Sequence, residues 1–352
     1  MRISVGIRLV LIVWITALAA LCAQAAVKGR TSDRPPRKVI VGTVVQSFWN
    51  RYPGLEARLE QLAQIVDQMR EAAQKKYGRG LDLVVLPETA VTARSGPSIA
   101  SGPVPFEDAV RNTFSRKAQE CRCYIVVPMS LMEDAKKNLY FNAAVLIGRD
   151  GQVVGIYRKV HVAVETGSDS LEEGVTPGKE EPVFECDFGK LGIQICFDME
   201  FDYGWSELAR KGADLVAWPT ASPQTAHPAA RAMQYGYFIV SSPHHNNASI
   251  FEPTGKIAAQ VRPPERLLVQ ELDLSYAILP WSTALRQGDL LRQKYGEKVG
   301  FRYYSEEDCG IFWSNDPNLT IGQMVRSVGL AEAEDELTRI RQLYRRAGVR
   351  AY

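Results

Sequence analysis

In Leu191-Gly192-Ile193-Gln194-Ile195-Cys196-Phe197-Asp198, an apolar, β-branched run ends on a thiol. Such a run reads as a buried strand, and the helix-favouring segment after it makes Cys196 the corner of a strand-to-helix turn. A thiol on that corner is exposed and rigidly held. The backbone N–H of Phe197 then points to where an oxyanion would form. Taken alone, the thiol has a second reading as a buried structural cysteine, the commonest fate of this residue type.

Two earlier segments have the same form. Leu83-Val84-Val85-Leu86-Pro87-Glu88 ends on a carboxylate, and Ile156-Tyr157-Arg158-Lys159-Val160-His161 carries an ammonium just past its apolar part. Pro87 stops the strand and fixes the backbone before Glu88. A carboxylate beside a buried run suits a general base, and an ammonium there can stabilise an oxyanion and hold a thiolate. Read singly, Glu88 is also a solvated loop carboxylate and Lys159 one more surface cation. Read together, they supply a base, an oxyanion stabiliser and a nucleophile at one sheet edge, where open α/β folds place their ligands. That set suits acyl transfer through a thioester. His161 is the rival base, as in a Cys–His hydrolase, although no local cysteine-protease signature is present.

Around these segments strands and helices alternate. The patterning predicts strands over 38–45, 81–86, 124–127, 191–196, 214–218, 238–241 and 267–272. It predicts hairpins over 142–157 and 249–261. Helices are expected over 55–75, 105–119 (with Pro105 at its start), 206–211, 229–235 and 331–347. The fold class is α/β with a buried central β layer. No internal repeat is visible. After Pro280 the chain becomes more charged, with 308–317 read as loop.

The 352 residues carry 42 Lys and Arg against 40 Asp and Glu, a net charge of +2. The cations are scattered, which argues against a nucleic-acid surface. Arg2 and Arg8, an apolar stretch over 9–20 and Ala23-Gln24-Ala25 form the pattern of a secretory signal peptide over 1–25. Export to the periplasm or the cell exterior is expected, with an uncleaved membrane anchor as the alternative. Residues 26–37 read as a linker. Cleavage leaves Cys121, Cys123, Cys186, Cys196 and Cys309, an odd number, so at least one thiol is unpaired within the chain. No spacing matches a zinc site, and no metal is expected.

The three segments, in this order, resemble the nitrilase superfamily of carbon–nitrogen hydrolases. The resemblance also runs through Asn142, Gly151 to His161, Gly212 to Pro219 and Arg231-Ala232-Met233. It implies an αββα four-layer sandwich over 38–280, with 281–352 as a C-terminal extension that caps the core or touches a partner subunit. It implies a Glu88–Lys159–Cys196 triad with the Phe197 N–H in the oxyanion hole, no cofactor, and a homodimer or larger homo-oligomer. A second site carboxylate would be Glu173 or Glu172, ahead of Pro177-Gly178. Trp205, Thr220, His227 and the region around Trp313 are candidates for the substrate pocket.

Cys196-Phe197-Asp198 resembles the amidase and carbamoylase branches more than the nitrile-cleaving branch. The expected substrate is therefore a small amide. Alternatives are an N-carbamoyl amino acid, a nitrile, or ligand binding by a catalytically silent member.

Overall fold

Each central strand is apolar on both faces, and the molecule buries both. In β1 (Lys38–Val44), Val39 and Val41 point one way while Ile40 and Val44 point the other. The same alternation sets Leu83 and Val85 of β2 (Leu83–Val85) against Val84. Period-2 burial of this kind needs a layer on each side of the sheet. The computed structural model describes residues 31–94, 102–164, 169, 171 and 174–350.

One layer is α1 (Leu55–Tyr77) with α2 (Asp108–Cys121), packed on a six-stranded sheet. Its remaining strands are β3 (Tyr124–Asp134), β4 (Leu139–Ile147), β5 (Val153–Arg158) and β12 (Leu267–Asp273), in the order β12-β1-β2-β3-β4-β5. A second sheet faces it, of β6 (Val183–Cys186), β7 (Gly189–Ile193), β8 (Leu215–Thr220), β9 (Phe238–Pro243), β10 (Ala248–Phe251) and β11 (Ile257–Val261). Its order is β11-β10-β9-β8-β7-β6. The outer face of this sheet carries α3 (Asp202–Arg210) and α4 (Ala226–Tyr235). The architecture is the expected αββα sandwich. Each fully buried Leu, Ile, Val or Phe in its three apolar interlayers contributes about 1.5–3 kcal/mol.

The two sheets share one topology, although the sequence shows no repeat. In the first, β1, β2 and β3 are parallel, β4 and β5 continue antiparallel, and β12 flanks β1. In the second, β7, β8 and β9 are parallel, β10 and β11 continue antiparallel, and β6 flanks β7. The parallel strands of both sheets therefore end at edges built for loops, where side chains meet.

The C-terminal region forms a third sheet in the order β13-β15-β14, of β13 (Tyr276–Pro280), β14 (Val299–Tyr304) and β15 (Cys309–Ser314). With it come α5 (Asp289–Tyr295), α6 (Ile321–Ser327) and α7 (Ala333–Arg346). One face of this sheet builds a separate core around Leu279, Leu291, Phe312 and Met324. Tyr276, Ile278, Ile311 and Trp313 from the other face join the core between the two large sheets.

Three expectations change. The segment read as loop over 308–317 contains β15, the central strand of the third sheet. Helix α2 starts at Asp108, so Pro105 lies before it. The end of the linker is docked, because Ser32 is buried and Arg37 pairs with Asp214 at 3.0 Å. Among the described residues no helix is long and apolar enough to cross a membrane.

Candidate active site

Glu88 follows β2, Lys159 follows β5 and Cys196 follows β7, so the sandwich brings all three to one edge. Lys159 Nζ donates to Glu88 Oε1 at 2.8 Å, and Asn142 Nδ2 donates to the same oxygen at 2.8 Å. The Cys196 thiol lies near enough to the Glu88 carboxylate for each to shift the other's protonation. Glu88 and Lys159 are almost fully buried, while Cys196 keeps part of its surface open.

The electrostatics give each group a definite resting state. Burial alone would raise the Glu88 carboxyl. The Lys159 charge, with hydrogen bonds from Lys159, Asn142 and Cys196, holds it below its usual range. For Lys159, burial opposes the charge, but Glu88 and the groups around it hold the ammonium well above the usual range. The Cys196 thiol is pushed up to about 12, by burial first and by the Glu88 charge second. Lys159, the Ala221 N–H and the Thr220 hydroxyl act in the other direction. The resting site is thus carboxylate, ammonium and neutral thiol, and a thiol in that state needs a base to become a nucleophile.

Cys196 has φ +42°, a left-handed backbone that costs about 1–3 kcal/mol for a side chain of this kind. It opens the 3₁₀ turn Cys196–Glu200. The early N–H groups of such a turn lack partners inside it, and that of Phe197 is among them. Asp198, fully buried, holds the turn in place. Its Oδ2 accepts from Ile195 N at 2.9 Å and from Tyr157 Oη at 2.7 Å. Its Oδ1 accepts from His161 N at 2.9 Å, with His161 Nδ1 3.1 Å away. One carboxylate therefore ties the end of β5, which is followed by Lys159, to the Cys196 turn. Gly192 allows the close approach of α3 behind this turn, because a Cβ there would lie 2.7 Å from Leu208.

The loop carrying Glu88 is pinned from two sides. The buried Arg58 of α1 donates to the carbonyls of Ala90 and Ala93 at 2.8 and 3.0 Å. On the other side His244, past β9, places Nε2 2.8 Å from the Glu88 carbonyl oxygen, while its Nδ1 accepts from Phe48 N at 3.3 Å. Trp49 stacks on this imidazole at 4.3 Å. Burial holds the His244 pKa below its ordinary value, so the ring is neutral and Nε2 is the protonated nitrogen.

The other sequence candidates separate. Thr220 ends β8 beside the Cys196 thiol. Trp205 is fully buried in the apolar layer under α3, with Nε1 donating to the Asp198 carbonyl at 2.9 Å, so it supports the turn and does not line a pocket. His227 sits exposed on α4, 3.7 Å from Glu200. Trp313 packs in the inter-sheet core under the Arg302 guanidinium. His161, the rival base, faces Asp198 and stacks on Phe201 at 4.0 Å. Glu172 and Glu173 lie outside the described residues. Sequence reading did not single out Asp198, Arg58, Tyr157 or His244 as supports.

Residues 44–279 match the family described as Carbon-nitrogen hydrolase. Omega-amidase NIT2 of Xenopus tropicalis is 28% identical over 241 residues, spanning 62% of this chain and 84% of that protein. Omega-amidase NIT3 of Saccharomyces cerevisiae is 28% identical over 255 residues, spanning 63% and 83%. The crystal structure of Saccharomyces cerevisiae Nit3 superposes with a TM-score of 0.57 at 21% identity, covering 74% of this chain and 95% of that one. A variant of the amidase from Nesterenkonia sp. AN1, carrying the acetamide moiety of fluoroacetamide on its active-site cysteine, superposes with a TM-score of 0.55 at 22% identity, covering 68% and 92%.

Proposed function

The chain belongs to the carbon–nitrogen hydrolases of the nitrilase superfamily and is an amidase-like enzyme; from that premise we propose that it cleaves a small primary amide through a thioester on Cys196. The observation that carries this reading is the buried carboxylate of Glu88, bonded to the Lys159 ammonium at 2.8 Å and close enough to the Cys196 thiol for its charge to raise the thiol's pKa.

As Sγ attacks the amide carbon, Glu88 takes the thiol proton. The oxyanion forms against the Lys159 ammonium and the Phe197 N–H. Glu88 then gives the proton to the leaving nitrogen, ammonia departs, and an acyl thioester remains. Water attacks that thioester as Glu88 takes one of its protons. The carboxylic acid leaves, the thiol is restored, and Glu88 is again ionised. The high resting pKa of Cys196 fits this sequence, because thiolate then forms only as bond-making proceeds.

Ammonia release from small aliphatic amides, N-carbamoyl amino acids and nitriles tests the reading. Release from amides is expected, lost in Cys196→Ala and in Glu88→Gln and retained in His161→Ala. Release from nitriles alone, or full turnover by Glu88→Gln, would overturn it.

Phe201, Tyr203 and Met233 leave apolar side chains exposed on and around α3 and α4, which supports a homodimer formed through that face. The N-terminal pattern supports export. Cell fractionation tests the second proposal and light scattering the first.

A further inference from the structure

Beside the Glu88 loop lies an open cavity of about 770 Å³, at the ends of β1 and β9 and under the β11–β12 turn. His244, His245, Asn246, Gln46, Arg262 and Arg266 are among its walls, and among the described residues no Asp or Glu is. Arg266 Nη1 donates to Gln46 Oε1 at 2.8 Å, and Arg262 Nε donates to Gln260 Oε1 at 2.9 Å. Among the described residues neither guanidinium has a carboxylate within ion-pair reach. Two like charges thus converge on one concavity with neutral amides as their partners. Arg37–Asp214, Arg149–Asp187 and Arg302–Glu252 show the carboxylate pairing that these two arginines lack.

A cleft lined by one sign of charge focuses its field and draws a counter-ion. Guanidinium groups hold carboxylate and phosphate oxygens with paired N–H donors, and the Asn246 amide and the His245 ring add further donors to the same wall. His244 is common to both places: it lines this cavity and holds the Glu88 carbonyl at 2.8 Å.

We propose that this cavity binds an organic oxyanion, a carboxylate or a phosphate, on Arg262 and Arg266, one side chain away from Glu88. The catalytic role of Glu88 rests on the function proposed above, but the oxyanion site does not depend on it. The occupant is either a free small acid or the acidic arm of an extended substrate.

The test titrates inorganic phosphate and succinate into the chain from Val27 onward by calorimetry, since residues 31–352 form one compact unit. Saturable binding is expected. Arg262→Gln/Arg266→Gln should weaken it by at least about tenfold while its thermal melting stays that of the wild type. Arg210→Gln, a cation on another face, should bind normally. Absence of saturable binding, or equal binding by the double variant, overturns the proposal.

Repeating the titration with Cys196→Ala keeps this outcome independent of turnover. A kinetic comparison separates the two sources. If the occupant is a substrate arm, Arg266→Gln raises KM for a carboxylate-bearing amide more than for its neutral analogue. If it is a free acid, added succinate changes the hydrolysis of both amides by the same factor, and does so less in the variant.

Discussion

His244 Nε2 lies 2.8 Å from the carbonyl oxygen of Glu88, although the two residues are 156 positions apart in the chain. The bond fixes the backbone that presents the carboxylate, and it needs a neutral ring protonated on Nε2. His244 is therefore a positioning residue for Glu88. His244→Ala should lower kcat by up to about 10²-fold, the cost of a small misplacement of a reacting group, with KM little changed. His244→Gln, which can still donate, should recover part of that loss. Equal kcat in all three proteins would remove His244 from the account of the site.

Asp198 is a structural staple. Asp198→Ala would strand the N–H groups of Ile195 and His161 and the hydroxyl of Tyr157, each at a cost of about 1–3 kcal/mol. A fall of several kcal/mol in unfolding free energy is expected from urea denaturation, together with loss of activity. A variant of near wild-type stability would mean that the turn is held by other contacts.

Glu181 gives stability a pH dependence of known sign. Its carboxyl is pushed up to about 7, by burial first and by the charge of Asp198 second, against the Gln194 hydrogen bond and the nearby His161 and Lys211. A raised carboxyl stabilises the fold while protonated. That contribution is complete below 4.5 and is lost as pH rises through about 7. Glu181→Gln keeps a partner for Gln194 and cannot ionise. It should melt like the wild type in acid and above it at alkaline pH. Identical melting curves across that range would contradict this.

Oxidation should follow the same electrostatics. With the Cys196 thiol pushed up to about 12, little thiolate exists at neutral pH. Peroxide inactivation should therefore be slow, accelerate by about tenfold per pH unit as thiolate forms, and be reversed by added thiol when the lesion stops at sulfenic acid or disulfide. A pH-independent rate of inactivation would show that another group is the target.

The meeting of Glu88, Lys159 and Cys196 at one edge was legible because each follows a short apolar run, a local signal that three separate segments repeat. The αββα layering was legible only through the resemblance, since periodicity shows that strands are buried on both faces but not how two sheets meet. Asp198 stood within a recognised motif, yet its role depends on Tyr157, 41 residues away, which no spacing rule connects. Arg58 and His244 are of the same kind, polar groups whose partners are set by tertiary structure. Trp205 was misplaced because a large aromatic just after a nucleophile fits a pocket or a core equally well. Strand β15 was missed because Gly310 interrupts its apolar pattern and Asp308 and Asn315-Asp316-Pro317 bracket it with turn residues.

The central claim is that Cys196 carries the acyl group. Intact-mass spectrometry of wild-type protein, acid-quenched during turnover of a small amide, tests it most directly, with peptide mapping to place the adduct. The expected result is a mass increase equal to the acyl group less one hydrogen, on the Cys196 peptide, absent from Cys196→Ala. An adduct on another residue, or undiminished amide hydrolysis by Cys196→Ala, would contradict the claim.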